Sequence, residues 1–390
     1  MISVEEALEI MEDKVGRLSI ETRSTRDVSG YVLAADVLSP IAMPSFNQSA
    51  MDGYAFNFEE GLNAYKTIGE VAAGSSENPK LDIGEGVRIF TGAMVPDSAN
   101  IVVQQELIDR DGDTATITAA VAVGKNIRPK GEQIQKGALA LAAGSVMTPA
   151  AIGFLTGLGI SEVQVYKKPK IKLITTGNEL IKPGNNLKAG QIFESNSFMI
   201  SAALETYGFK DYDVLTIEDN YQDTLAQIKS AIVGSDVVIL TGGISVGDYD
   251  FVGKALKEIG STELVYKINQ KPGKPIYVGH VDDTLITALP GNPAAALTCF
   301  YVYVLPALNQ LIGKPFRGLE RMKIPMNANY LKKGNRALFL KAKLDDGKMA
   351  VLEGQSSAML RSFADANALV YLSSDTKEVE KGDLVTVYKL

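Results

Sequence analysis

Residues 284–308 read TLITALPGNPAAALTCFYVYVLPAL. The stretch opens as a short strand, turns through Leu-Pro-Gly-Asn-Pro and runs on as an unbroken apolar segment. Asn292 suits a helix N-cap, and Pro293 suits the first helical position, where an amide N–H would be unpaired in any case. The run from residue 294 to 308 is too short to span a bilayer and contains Pro306, so it is expected to be a buried helix. A strand that feeds a tight loop and then a helix is the building unit of a doubly wound α/β domain.

The same unit recurs upstream. IKLITT (171–176), DVLTIE (213–218) and DVVILTG (236–242) read as strands. SNSFMISAALETYG (195–208), YQDTLAQIKSAIV (221–233) and DFVGKALKEIG (250–260) read as helices, the first and last ending on glycine. Shorter strands are expected near ELVYKI (263–268) and PIYVGH (275–280). Residues 169–316 are therefore expected to form an α/β domain with a mostly parallel sheet. Beyond it, RALFLKAKLDDGKMAVLEG (336–354) reads as a hairpin about Asp345-Asp346-Gly347, and DLVTVYKL as a last strand. Residues 317–390 should form a C-terminal β domain, a small barrel or sandwich. Before residue 169, helices at 3–15 (with a capping box from Ser3 and Glu6) and at 148–159 flank a β-rich middle. That reads as an inserted β domain (46–145) within an elongated α/β element (1–45 and 146–168).

Composition restricts the chemistry. A chain of 390 residues, 46% apolar, supports real cores and roughly two to four domains. Cys299 is the only cysteine and His280 the only histidine. Disulfides, thiolate clusters, zinc and haem sites are disfavoured, and a Ser-His-Asp triad would have to use His280 itself. Chemistry is expected from carboxylates, lysines, hydroxyls and backbone amides, with magnesium the default metal. The net charge of −7 argues against general nucleic-acid binding. The N-terminus lacks a basic, then apolar, leader, and with the lone cysteine this leads to the expectation of a cytoplasmic protein.

Three loops follow predicted strand ends: TTGNEL (175–180), TGGISVGDYDFV (241–252) and LPGNPAA (289–295). Glycines there let backbone N–H groups approach an anion, and the next helix adds its positive end. Each alone is also an ordinary strand-to-helix turn. Together, with the acids Glu179, Asp248 and Asp250, they suggest a phosphate-bearing ligand with a magnesium ion. KPGKP (271–275) would add Lys271 and Lys274, if it is not simply a solvated turn. Arg128 and Lys130 are weaker candidates of the same kind, and RIFTGAMVP (88–96) reads locally as a β-turn at Thr91-Gly92. FNQSAMDGYAF (46–56) reads either as a hairpin turn at Asp52-Gly53 or as a loop presenting Asp52 to a substrate.

SAMDGYA, TGAMVP, TTGNEL, TGGISVGDYD, KPGKP and LPGNPAA occur in an order and spacing that resembles the molybdopterin molybdenumtransferase family, which includes bacterial MoeA and the E domain of gephyrin. The resemblance covers essentially the whole chain. It implies a four-domain homodimer with the site in a cleft between subunits, Asp52 and Thr91 of one chain facing the α/β domain of the other. It implies that adenylylated molybdopterin and molybdate become molybdenum cofactor with release of AMP, and that magnesium is required. Carried over by position, Asp52, Thr91, Glu179 and Asp250 are the functional polar residues, with Glu179 and Asp250 as metal ligands. The resemblance further implies that Gly242, Gly243, Ser245, Lys271, Lys274, Pro290, Gly291, Asn292 and Pro293 bind the substrate, and that Lys274, Arg336 and Ser357 bind molybdate. The chain departs from the family pattern at Gln133, where a carboxylate is usual, and at Glu218, where an Asp-Asp pair is usual. The alternatives are a molybdopterin adenylyltransferase, which shares the α/β loops but lacks the flanking regions, and a scaffold of the gephyrin type. The upstream adenylyltransferase is left as a candidate partner; no membrane or nucleic acid is expected.

Overall fold

The structure, a computed structural model, describes residues 1–218, 220–244 and 251–390. The chain forms two compact units, one of Met1–Glu21, Gly30–Ala34 and Gln164–Leu390, the other of Thr22–Ser29 and Ala35–Val163. The division expected from sequence is finer and groups residues 1–45 with 146–168. In the structure, helix α1 (Val4–Lys14) buries Val4, Ala7 and Met11 in the same core as Ile171, Leu173 and Ile268. Its amphipathic spacing shows which face is apolar but not which surface receives it, and the surface is that of the α/β part. Ser3 caps it, accepting from the Glu6 N–H at 3.0 Å.

The first unit is built on a six-stranded sheet among the described residues. Its strands are β1 (Ile171–Thr176), β2 (Tyr212–Ile217), β3 (Val237–Thr241), β4 (Thr262–Tyr266), β5 (Tyr277–Val281) and β6 (Thr284–Leu289), in the order β2-β1-β3-β6-β5-β4. β2, β1, β3 and β6 run parallel, and β5 and β4 complete the sheet antiparallel. Both faces are covered, as a parallel sheet requires. On β3, Val237 and Ile239 enter one core and Val238 and Leu240 the other, the two-residue alternation of a strand. Helix α2 (Asn196–Thr206) and α5 (Pro293–Leu311) pack on the first face, with α1; α3 (Tyr221–Ile232) and α4 (Phe251–Ile259) pack on the second.

The expected buried helix is α5, with one correction. Residues Phe300–Val304 form a π-helical turn in which the Leu305 N–H bonds to the Phe300 carbonyl. It lies directly ahead of Pro306, whose ring would clash with the carbonyl four residues back in a regular α-helix. By length and composition α5 could cross a membrane, but most of it is buried within the unit.

The C-terminal sheet runs in the order Gln270–Lys271, Ala337–Asp345, Ala368–Leu372, Leu384–Lys389, Arg321–Pro325, and Lys348–Val351 pairs with Ala337–Asp345 as a hairpin. A bridge from Met326 to Met349 joins the last strand back to the hairpin and closes the sheet into a barrel. The hairpin turns where the sequence places it, with Asp346 at φ 45° and Gly347 at φ 72°, as a tight I′-type turn needs. The pairing of Gln270 with Ala337 and Lys271 with Leu338 carries the α/β part directly into this barrel.

The second unit holds a six-stranded, mainly antiparallel sheet in the order Ile101–Gln104, Gly53–Phe56, Glu85–Ile89, Ala64–Val71, Thr114–Ile117, Ile108–Asp111. Residues 48–49 and 53–56 do not pair with each other, so Asp52-Gly53 is not a hairpin turn. Gly53 is needed for another reason: a Cβ there would lie 1.9 Å from the Val103 carbonyl oxygen.

Candidate active site

Thr175 of β1 lies opposite Thr241 of β3, and Thr241 opposite Leu289 of β6. The three strands therefore end at one level, and their loops converge on a cleft of ≈ 580 Å³. It is lined by Thr176, Gly177 and Glu179 from the first loop, Thr241 to Ile244 from the second, and Gly291 to Pro293 from the third. This is the position at which open α/β sheets bind ligands. Gly242 and Gly243 both have positive φ, 87° and 62°. A Cβ on Gly242 would meet the Thr176 carbonyl oxygen at 2.2 Å, and one on Gly291 would come within 3.5 Å of the Gly242 Cα. The loops are thus bare backbone packed on backbone, which leaves amide groups at the cleft wall.

Two residues that sequence reasoning missed hold this wall together. Asn196, at the start of α2, donates through Nδ2 to the Thr241 hydroxyl and to the Gly291 carbonyl, both at 2.8 Å, tying the second loop to the third. Glu194 is buried; its carboxylate accepts from the Ser197 N–H at 2.8 Å and the Ser197 hydroxyl at 2.5 Å, at the positive end of α2. Both line the cleft. The available signal was FESNS (193–197), a run of polar residues at a helix start just past a strand.

The barrel reaches the same place. Asn292 stands at the N-cap of α5, yet its side chain does not cap: Nδ2 donates to the Ser357 hydroxyl at 3.0 Å. The Ala295 N–H instead bonds to the Asn292 carbonyl at 3.0 Å and the Ser357 carbonyl at 3.2 Å. Ser357 is therefore brought to the Pro-Gly-Asn-Pro turn. The 271–275 turn sits on α5, where a Cβ on Gly273 would come within 2.3 Å of the Cys299 sulfur. Buried Gln270 fixes it by donating to the Pro272 carbonyl at 3.0 Å and the Gly273 carbonyl at 3.4 Å. Arg336, exposed, immediately precedes the strand pair that contains Lys271.

In the second unit, Asp52 and Thr91 form one structure. Asp52 Oδ1 accepts from the Thr91 N–H at 2.7 Å. Ser49 links the same two loops, its carbonyl accepting from the Gly92 N–H and its N–H donating to Ala93, both at 2.9 Å. Arg88 lies 5.1 Å from the centres of both the Tyr54 and Phe90 rings and donates to the Gly53 carbonyl at 3.2 Å. The Thr91 N–H, then the Thr91 hydroxyl, and to a smaller degree the charge of Arg88, hold the Asp52 carboxyl below the usual carboxylate range. A carboxyl with a lowered folded-state pKa stabilises the fold above its unfolded value and loses that contribution as pH falls through the folded one. Wild type and Asp52→Asn should thus differ in thermal stability at pH 7 and converge as pH drops below about 4. A difference that does not change with pH would show that the charged carboxylate contributes nothing.

Among the residues expected from sequence, Glu179, Gly242, Gly243, Gly291, Asn292 and Pro293 line the cleft, and Ser357 bonds to one of its walls. Pro290 is buried just behind it. Lys271, Lys274 and Arg336 are not among the lining residues but belong to the turn and strand pair beside α5. Asp52 and Thr91 lie in the other compact unit. Ser245, Asp248 and Asp250, and Asp219 after Glu218, fall outside the described residues.

The structure thus combines a doubly wound α/β core with a glycine-walled cleft at its strand ends, a β barrel joined to that core, and a separate β-rich unit. Residues 2–159 match the model of the MoeA N-terminal region (domain I and II), 172–310 that of a probable molybdopterin binding domain, and 323–390 that of the MoeA C-terminal region (domain IV). The chain is 32% identical to a molybdopterin molybdenumtransferase of Haemophilus influenzae over 94% of its own length and 93% of the relative's. It is 32% identical to molybdopterin molybdenumtransferase 2 of Mycobacterium tuberculosis over 100% of both chains. Two structures of the molybdopterin biosynthesis MoeA protein of Pyrococcus horikoshii match with TM-score 0.83 at 29% and 26% identity, over 100% of this chain and 99% or 100% of the other. The chain belongs to the molybdopterin molybdenumtransferase family and is a transferase of molybdenum cofactor biosynthesis.

Proposed function

We propose that this transferase inserts molybdate into adenylylated molybdopterin with release of AMP, in a magnesium-dependent reaction. The observation that carries the reading is the cleft at the ends of β1, β3 and β6, with its backbone-lined walls and its carboxylate Glu179. Phosphates are held by amide N–H groups of glycine loops and by the positive end of a helix, here that of α5. Magnesium takes one or two carboxylates and completes its shell with substrate phosphates and water. Glu179 at the cleft offers one such oxygen ligand, and Asp250 is the second proposed ligand; the ion would neutralise charge on the phosphates. Lys271 and Lys274, from the turn fixed by Gln270, supply positive charge for the anionic substrate. Lys274, Arg336 and Ser357 are assigned to molybdate: Arg meets a tetrahedral oxyanion with a fixed fork, Lys acts as a point charge, and the hydroxyl of Ser357 can donate. Loss of the phosphoanhydride makes insertion favourable overall, and the protein's share is positioning and electrostatics.

The reading extends to assembly and location. The four-part division of the chain, a homodimer with Asp52 and Thr91 facing the partner subunit's cleft, and a cytoplasmic location form one proposal. Incubation of the protein with adenylylated molybdopterin, magnesium and molybdate should release AMP, and omission of molybdate or magnesium should suppress it. Absence of AMP under the complete conditions would overturn the assignment. Mixing inactive Asp52→Asn chains with inactive Asp250→Asn chains should restore part of the activity, since each mixed dimer would hold one intact site. Failure to recover, with subunit exchange verified by mass spectrometry, would rule out a site shared between subunits.

A further inference from the structure

The C-terminal barrel buries two lysines, Lys341 at 4% exposure and Lys332 at 6%. A buried ammonium group is costly unless its protons are matched, and a carboxylate is the usual partner. Lys341 Nζ donates instead to three backbone carbonyls: Gly354 at 2.6 Å, Met359 at 3.0 Å and Ser356 at 3.2 Å. Three donations need the protonated amine, because a neutral one has only two N–H groups. The carbonyls belong to a single loop, 354–359, which is wound about this ammonium group. Gln355 reinforces the winding: its Oε1 accepts from the Lys341 N–H at 2.9 Å, and its Nε2 donates to the Lys341 carbonyl at 2.9 Å and the Leu352 carbonyl at 2.7 Å. Ser362 closes it, donating to the Gly354 carbonyl at 2.7 Å.

The outer side of this loop is Ser357, bonded through its hydroxyl to Asn292 and through its carbonyl to the Ala295 N–H, with Ala358 in the cleft wall. The ammonium thus grips the loop from behind while the α5 turn grips it from the front. Lys332 repeats the device two residues before Gly334, donating to the Ser374 carbonyl at 2.9 Å and the Gly334 carbonyl at 3.1 Å, on the loop that leads to Arg336. Each of the two barrel residues assigned to molybdate is therefore carried on a loop fixed by a buried lysine.

We infer that Lys341 is a positioning residue for the oxyanion substrate: it shapes the 354–359 loop so that Ser357 meets the Asn292-Pro293 turn, and its charge behind that loop adds to the attraction for a dianion. The inference rests on the proposed placement of Ser357 beside molybdate. A charge set behind the loop acts on a dianion twice as strongly as on a monoanion, which a purely mechanical role does not do.

The test uses the full-length protein with Lys341→Met, Lys341→Arg and, as reference, Ser357→Ala. Molybdate is titrated in the AMP-release assay, with sulfate and the monoanion perrhenate as tetrahedral competitors, and pterin affinity and thermal stability are measured alongside. Lys341→Met should raise the half-saturating molybdate about tenfold and weaken sulfate inhibition by a similar factor, with a smaller shift for perrhenate, down to about threefold where charge carries the whole effect, because only the electrostatic part is halved. Turnover at saturating molybdate and affinity for the adenylylated pterin should stay within about twofold, and Lys341→Arg should restore most of the molybdate response. If Lys341→Met does not fold, Lys341→Gln, uncharged and limited to two donations, takes its place with the same expected shifts. Equal shifts for sulfate and perrhenate, or a parallel loss of turnover and pterin affinity, would overturn the inference. So would an unchanged molybdate response in Lys341→Met where Ser357→Ala alters it. If Ser357→Ala also leaves the molybdate response unchanged, the placement of Ser357 itself is wrong.

Discussion

Gly242→Ala should lower AMP release by about a hundredfold, the order of loss that follows from moving a binding element by about 1 Å. The added Cβ would stand 2.2 Å from the Thr176 carbonyl oxygen and 3.3 Å from its carbon. Thr176 is held in place, because it pairs with Ile217 of β2 and follows Thr175, which pairs with both β2 and β3. The second loop must move instead, by roughly the 1 Å that separates such a clash from an ordinary contact, and its amides leave the cleft wall. The backbone there has φ 87°, so alanine also meets the strain of the left-handed region. Gly260 separates the two effects. It has φ 84° at the end of α4, and a Cβ there meets nothing within 4 Å. Gly260→Ala should cost about 1 kcal/mol of stability and leave AMP release unchanged. The comparison requires both variants in the same assay, with melting temperatures. Near-normal turnover by Gly242→Ala would mean that the substrate does not contact this wall.

What the sequence made legible follows from the range of the interactions involved. The strand-loop-helix units of the α/β core are written in local terms: two-residue alternation, a glycine or Asn-Pro at the turn, an apolar helix face. So is the hairpin at Asp346-Gly347, where two successive residues with positive φ need only their own side-chain chemistry. Features set by distant partners were left open or not read at all. Asp52-Gly53 has the composition of a hairpin turn, but Gly53 answers to the Val103 carbonyl, fifty residues on in the chain, and Asp52 to the Thr91 N–H. The π turn of α5 depends on Pro306, which was noticed, but how a helix absorbs a proline is decided by its packing. The seat of α1 could not be read from its own eleven residues.

The site divides in the same way. Gly242, Gly243, Gly291, Asn292 and Pro293 were legible because turn chemistry at strand ends is local and the order of the motifs is distinctive. Asn196 and Glu194 were passed over because a polar residue at a helix start has a sufficient local reason to be there, namely capping. Only the fold shows that Asn196 spends its amide on Thr241 and Gly291, 45 and 95 residues away. Lys341 was hidden for the opposite reason. In FLKAK it reads as the outward-facing residue of a strand, and its burial under a returning loop leaves no mark in the neighbouring sequence.

Glu179→Gln should cut AMP release at least about tenfold, the cost of one lost charge interaction with a phosphate-bound cation. Glu179 is exposed at the cleft and its backbone is held by the loop, the Ile192 N–H bonding to its carbonyl at 2.9 Å. The change from carboxylate to amide keeps size and shape, so the melting temperature should not move. Asp250→Asn, on the second loop by sequence, should behave alike. The two losses are not expected to multiply, since residues serving one ion act as a unit. The concentration of magnesium needed for half-maximal AMP release should rise in each variant, and excess magnesium should recover part of the rate. Pterin affinity measured without magnesium should be unchanged or improved, because a negative charge has been removed from beside the phosphates. That last sign separates a metal ligand from a residue that contacts the substrate directly. A ligand's loss is felt through magnesium alone, whereas a direct contact is lost whether or not the ion is present. If both variants keep the wild-type magnesium response and rate, the carboxylates have been assigned to the wrong task.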